Sequence, residues 1–224
     1  LEPMVKNLPK DKSFKISVIP HTSKKTSEET INSFVELSLI VKKLGADGVE
    51  FDLSCPNFTA SEGAKGEIYQ DAKFTREITE AVRDEVGKGF PILLKVGYSH
   101  DYRKLVEEVA SIASGIVAIN AMPAPVYRKD GSSVFANRGN KAGVCGTAIL
   151  QMGLDAVGHL VKLRGMNGAD FAVIGVGGIL NPDIAMKYLD LGADAIEIGT
   201  GAIYNPFLAL EIKKALLERK VSES

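Results

Sequence analysis

Cysteine is scarce in this chain of 224 residues: Cys55 and Cys145 are its only two, too few for the disulfide framework of a small secreted domain. Charge of one sign is lacking as well. The 27 basic and 28 acidic residues leave a formal net charge of -1, so there is no electrostatic case for nucleic acid or an anionic membrane as partner. No apolar run approaches the ~20 residues that a membrane span requires, and no secretory signal precedes the first apolar strand. The three histidines, His21, His100 and His159, are scattered without metal-ligand spacing, so no metal is expected. Together these absences lead us to expect a soluble, cytoplasmic protein with a small-molecule partner.

What is present is a rhythm. Short β-branched, apolar runs alternate with longer segments of helical period, the signature of a parallel sheet with crossover helices. Strands are expected at Phe14–Pro20, Gly48–Ser54, Pro91–Gly97, Gly115–Ala121, Phe171–Gly178 and Ala195–Gly201. Thr26 with Glu29 forms a capping box, ahead of an apolar face made by Ile31, Phe34, Val35, Val41 and Leu44. Asn181-Pro182 and Asn205-Pro206 each place a cap and a first-turn proline before a helix. The segment from Met122 to Gly146 breaks the rhythm and reads as a long excursion holding a short hairpin, and the basic run from Lys213 to Lys220 as a solvated helix face. The length fits one domain, residues 1 to 224. Six βα units are visible, whereas a closed (β/α)8 barrel needs eight, so the chain is two units short.

Chemistry concentrates at Asp52-Leu53-Ser54-Cys55-Pro56-Asn57, where an acid, a thiol and an amide crowd at a strand end. Cys55 is either a proton-transfer group or a small buried hydrophobe. Asn57 and Asn120, also at strand ends, suit the edge of an amide-containing ring or belong to turns. Lys95 lies inside a strand, where a charge must meet a partner or snorkel to water. Gly177-Gly178 and Gly199-Thr200-Gly201 end consecutive strands, each ahead of a helix, which suits a phosphate; the alternative is tight turns.

Leu53-Ser54-Cys55-Pro56-Asn57, together with Lys95, Asn120, Ile174-Gly175-Val176-Gly177-Gly178-Ile179 and Ile198-Gly199-Thr200, resembles the dihydroorotate dehydrogenase family, including the related domain of dihydropyrimidine dehydrogenases. The resemblance covers nearly the whole chain and is to the soluble, cysteine-using branch; the quinone-linked branch carries serine as its base. It implies a β/α barrel that binds FMN at the carboxyl ends of its strands and oxidises a dihydropyrimidine. By it, Cys55 is the general base, Asn57 and Asn120 bind substrate, and Lys95 lies beside the pyrimidine end of the flavin. Gly143, Gly177, Gly178, Gly199 and Thr200 would cradle the FMN phosphate. It further implies a homodimer, and leaves the electron acceptor open among fumarate, NAD through a partner subunit and other carriers.

Three positions depart from the family pattern: Asp52 stands where asparagine is usual, Ala121 where many members carry a hydroxyl, and Cys145 where small residues such as serine are preferred. An ionised Asp52 aimed into the pocket would repel orotate, itself an anion, so a different cyclic substrate is one alternative. A non-catalytic phosphate-binding barrel is the other. Family members carry two more βα units ahead of the stretch matching Phe14, and the chain opens on Leu1 rather than methionine; a fragment of a longer product, or a shortened member, is expected.

Overall fold

Strands and helices alternate through most of the chain in the computed structural model, which describes residues 13–20, 26–54, 67–135 and 141–222. In order they are β1 (Lys15–Val18), α1 (Ser27–Lys43), β2 (Gly48–Asp52), α2 (Ala72–Val86), β3 (Ile92–Val96), α3 (Arg103–Val109), β4 (Gly115–Ala118), β5 (Met122–Pro125) and β6 (Lys141–Val144). Then follow α4 (Leu150–Asn167), β7 (Ala172–Val176), α5 (Pro182–Asp190), β8 (Ala195–Glu197), α6 (Thr200–Tyr204) and α7 (Leu208–Ser222). Six strands form one sheet in the order β1-β2-β3-β4-β7-β8, and the pairs β1·β2, β2·β3 and β7·β8 are parallel. This is the strand-helix architecture of a (β/α)8 barrel with six of its units among the described residues. The expected hairpin is present too, as the antiparallel pair β5·β6.

The residues divide into two units. The first comprises Leu1–Val96, Asp101–Val117 and Leu163–Ala172; the second comprises Gly97–His100, Ala118–Lys162 and Val173–Ser224. In the first, Thr26 caps α1 as its sequence requires: its Oγ1 accepts from Glu29 N at 3.2 Å while its own N–H donates to Glu29 Oε2 at 2.8 Å. The inward face of α1 differs from the expected one, however. Thr30, Phe34, Ser38 and Val41 are buried, whereas Ile31, Val35 and Leu44 are only partly so. Ser38 enters the core because its hydroxyl donates back to Phe34 O at 2.7 Å, leaving no polar atom unpaired. In the second unit Asn181 caps α5, accepting from Ile184 N at 3.0 Å, with Pro182 behind it as expected.

Every expected strand ends early, two of them by three residues or more. The fourth stops at Ala118 rather than Ala121 and the last at Glu197 rather than Gly201. After β8 the backbone turns into the short helix α6, with Asn205 N donating to Gly201 O at 2.8 Å. The final helix therefore begins at Leu208, not at the Asn205-Pro206 pair. Among the described residues no helix is long and apolar enough to cross a membrane.

A short sequence repeat underlies two of the helix-to-strand turns. Leu44-Gly45-Ala46-Asp47 and Leu191-Gly192-Ala193-Asp194 close α1 and α5 in the same way. Gly45 and Gly192 sit at φ 84° and 98°, conformations that suit glycine. Their N–H groups donate to Lys42 O and Leu189 O, and those of Ala46 and Ala193 reach Val41 O and Tyr188 O, which satisfies the helix-end carbonyls in a Schellman turn.

Candidate active site

Alternation along the strands gives the first unit two unlike sheet faces. Val49, Phe51, Ile92, Leu94 and Val96 are all fully buried on one, where the ring of Phe34 from α1 lies 4.9 Å from that of Phe51. The opposite face carries Ser17, Glu50, Asp52 and Lys95, with Ser17 opposite Glu50 and Asp52 opposite Lys95 in register. A charged face on a β/α sheet departs from the bulky aliphatic filling usual there.

These charges are paired. Glu50 Oε1 accepts from Ser17 Oγ at 2.7 Å and lies 3.3 Å from Lys95 Nζ. The Glu50 side chain is 6% exposed and that of Lys95 19%, so Lys95 has met a partner while its side chain keeps some access to solvent. Asp52, at the end of β2, accepts from Ser54 N at 3.2 Å and from Ser54 Oγ at 3.4 Å. Its carboxylate is thus engaged three residues ahead of Cys55 in the sequence. Burial raises the Glu67 carboxyl above its ordinary range, against a hydrogen bond from Tyr69, and the charge of Asp52 adds to the rise. Burial likewise pushes the Tyr69 phenol up to about 12. Cys55 and Asn57 lie outside the described residues, as does His21.

In the second unit backbone rather than charge dominates. Three turns that leave β6, β7 and β8 meet here. A Cβ added to Gly178, at φ 71°, would lie 3.2 Å from Gly146 O and 2.7 Å from Leu150 Cβ; one added to Gly146, at φ 73°, would lie 3.4 Å from Thr200 Cγ2. Gly177 also has positive φ, at 124°. Gly199 is different, for a Cβ there would meet nothing within 4 Å. Positive-φ turns of small residues, with open space at Gly199, can present backbone N–H groups to an anion. Gly143 lies in β6 opposite Pro123, where an added Cβ would come 3.0 Å from Ala121 Cβ. Asn120 is partly buried just past β4, and the preceding Ile119 N donates to Val176 O at 3.0 Å. That bond holds Asn120 near the exit of β7.

Two contributors escaped the sequence reading. Glu50 is one; its signal is a charge in mid-strand two residues before Asp52, on the same face as Lys95. Tyr188 is the other. Its buried hydroxyl donates to Gly177 O at 2.7 Å, supporting the glycine turn from beneath, and burial raises its pKa. Its signal is a pair of glycines in places that do not favour them, Gly153 within α4 and Gly175 within β7, either of which would collide with the tyrosine ring or hydroxyl if it carried a Cβ. His100 and His159 are exposed, and no cluster of three metal-binding side chains exists among the described residues. Cys145 is exposed as well.

Comparison with known proteins gives this arrangement a context. The catalytic subunit of dihydroorotate dehydrogenase B (NAD(+)) from Thermoplasma volcanium is 30% identical over 162 residues, covering 71% of this chain and 49% of that protein. The PreA subunit of the NAD-dependent dihydropyrimidine dehydrogenase of Escherichia coli K12 is 26% identical over 175 residues, covering 73% and 40%. The chain thus spans about half the length, or less, of the curated relatives it matches. The crystal structure of ligand-free dihydroorotate dehydrogenase from Eimeria tenella superposes with a TM-score of 0.72 at 19% identity, over 97% of this chain and 65% of that one; at that identity the likeness is one of fold. The family profile described as dihydroorotate dehydrogenase matches residues 1–219, nearly end to end, and the chain belongs to that family.

Proposed function

We propose that this chain is the flavin-bearing part of a soluble, cytoplasmic oxidoreductase that oxidises dihydroorotate or a related dihydropyrimidine. The observation that carries the reading is the meeting of three strand-exit turns at Gly146, Gly178 and Thr200. It occurs within a chain whose family match runs from residue 1 to 219. The residues present fit FMN. Positive-φ turns offer N–H groups to its phosphate, and Gly199 leaves free the space that a side chain would fill. Gly143, Gly177, Gly178, Gly199 and Thr200 would hold the phosphate, and Lys95 would present its ammonium to the pyrimidine end of the ring.

When bound, FMN would supply the hydride acceptor. Cys55, as thiolate, removes a proton from the adjacent substrate carbon; loss of a proton and a hydride from neighbouring carbons leaves a C=C bond. Asn57 and Asn120 orient the substrate amides with one donor and one acceptor group each. Asp52 and Glu67 put two carboxylates around the exit of β2, which favours an uncharged dihydropyrimidine over one bearing its own carboxylate. The Thermoplasma relative is named for NAD(+), and for this chain too we take NAD, through a partner subunit, as the final acceptor.

The purified protein is expected to be yellow and to bleach when a dihydropyrimidine is added without oxygen. Cys55→Ala should keep the colour while slowing substrate-driven flavin reduction by about 10²–10⁴-fold. A colourless protein that takes up no added FMN would overturn the reading in favour of a non-catalytic phosphate-binding barrel.

A further inference from the structure

We propose that Glu50, anchored by Ser17, is the positioning residue for Lys95: it holds the ammonium at one place on the polar face of β1, β2 and β3 and offsets part of its charge. The target of that ammonium, the flavin ring, rests on the reading above. The geometry does not.

Glu50 lies in mid-strand, and a carboxylate so thoroughly buried is costly unless it is compensated. Two compensating groups come from neighbouring strands and meet the same oxygen, Ser17 Oγ at 2.7 Å and Lys95 Nζ at 3.3 Å. Ser17 stands directly opposite Glu50 in register; Lys95 stands two residues beyond Leu93, the residue opposite Glu50 on the other side. The contact to lysine is therefore diagonal and runs toward the carboxyl end of β3. A lysine side chain carries about 2 kcal/mol of rotamer entropy. A diagonal ion pair to a carboxylate oxygen that Ser17 also holds removes much of that freedom before any ligand arrives, which is what preorganisation requires. A pair that served only to neutralise charge would need no second clamp and no solvent access for the cation, yet Lys95 remains 19% exposed beside a glutamate that is 6% exposed.

The test uses the full chain with two readouts. The first needs no flavin: brief acetic anhydride labelling, with the modification of Lys95 quantified by peptide mass spectrometry against exposed Lys213. In Glu50→Gln, an isosteric change, Lys95 should label faster by at least about twofold, the low end of coupling between contacting residues. Losing the carboxylate frees the side chain and raises its share of neutral amine. Ser17→Ala, a small change at an exposed position of β1, should shift labelling in the same direction by less. Unchanged Lys95 labelling in both variants overturns the proposal.

The second readout is the reduction potential of bound FMN. It should rise in Glu50→Gln, where the Glu50 charge no longer offsets that of Lys95, and the rise should shrink in the Lys95→Met background. An equal rise in both backgrounds means that Glu50 does not act through Lys95 and overturns the proposal. Faster labelling in a protein that binds no FMN upholds the positioning role and removes the flavin reading instead.

Discussion

Leu44–Glu50 and Leu191–Glu197 read LGADGVE and LGADAIE, and they behave alike for four residues before parting. In each, leucine caps a helix, glycine takes a positive φ, and aspartate clamps the strand entering alongside. Asp47 Oδ2 accepts from Phe14 N at 2.9 Å while Asp47 N returns a bond to Phe14 O at 2.9 Å; Asp194 repeats both bonds with Val173 at 2.8 Å. Three residues on, the likeness fails. Glu50 is buried between Ser17 and Lys95, whereas Glu197, opposite Val176 at the end of β8, is only partly buried. The same local sequence builds the same turn, and the neighbouring strands decide whether its glutamate becomes part of a site.

The largest break in this comparison should come from the two glutamates. Glu50→Ala takes a buried carboxylate away from Lys95 and should cost about 2–3 kcal/mol in urea unfolding, below the full penalty for a broken buried pair because the Lys95 side chain reaches solvent. Glu197→Ala should cost less than about 1 kcal/mol. Equal losses would mean that the two strands are not distinguished by their glutamates.

The aspartates should sharpen the likeness. Asp47→Ala and Asp194→Ala each remove the acceptor for a strand-entry N–H, and each should cost about 1–2 kcal/mol. A difference well beyond experimental error would show that the shared turn does not do equal duty. For the glycines, Gly45→Ala should cost about 1 kcal/mol from backbone conformation alone, since its Cβ would meet nothing within 4 Å. Gly192→Ala should cost somewhat more, its Cβ falling 3.0 Å from Val161 Cγ1.

The smallest effect concerns pH. The exit of β2 is flanked by Asp52 and Glu67, that of β8 by Gly199 and Thr200. Because burial raises its pKa, Glu67 holds its proton to higher pH in the folded chain than in the unfolded one. As pH climbs from the unfolded value through the folded one, the unfolded chain ionises first and stability falls. Thermal melts of Glu67→Gln should lack this decline and match wild type below the window; an identical pH profile would place Glu67 in an ordinary solvated setting.

Much of the fold was legible because its signals are local. Thr26 with Glu29 and Asn181 with Pro182 capped helices as read, and apolar runs marked all six strands of the main sheet. Strand ends were less legible: nothing local at Ile198-Gly199-Thr200 says that the backbone leaves β8 after Glu197 to form a helix turn. Of the candidate site, Lys95 and the glycine pairs were visible as residues out of place. Glu50 carries no local signal of its role because its partners lie far along the chain and are brought together only by strand register. Tyr188 carries none either, since a tyrosine at helical spacing looks like ordinary core.

The sequence by itself determined the alternation of strand and helix, the caps at Thr26 and Asn181, the Schellman turns and the family, since each depends on neighbours in the chain or on a continuous motif. Only the tertiary structure decided that one of two matching glutamates is buried against Ser17 and Lys95, and that Gly146, Gly178 and Thr200 stand together. Those outcomes depend on parallel pairing and on turns from separate strands, where distance along the chain carries no information about distance in space.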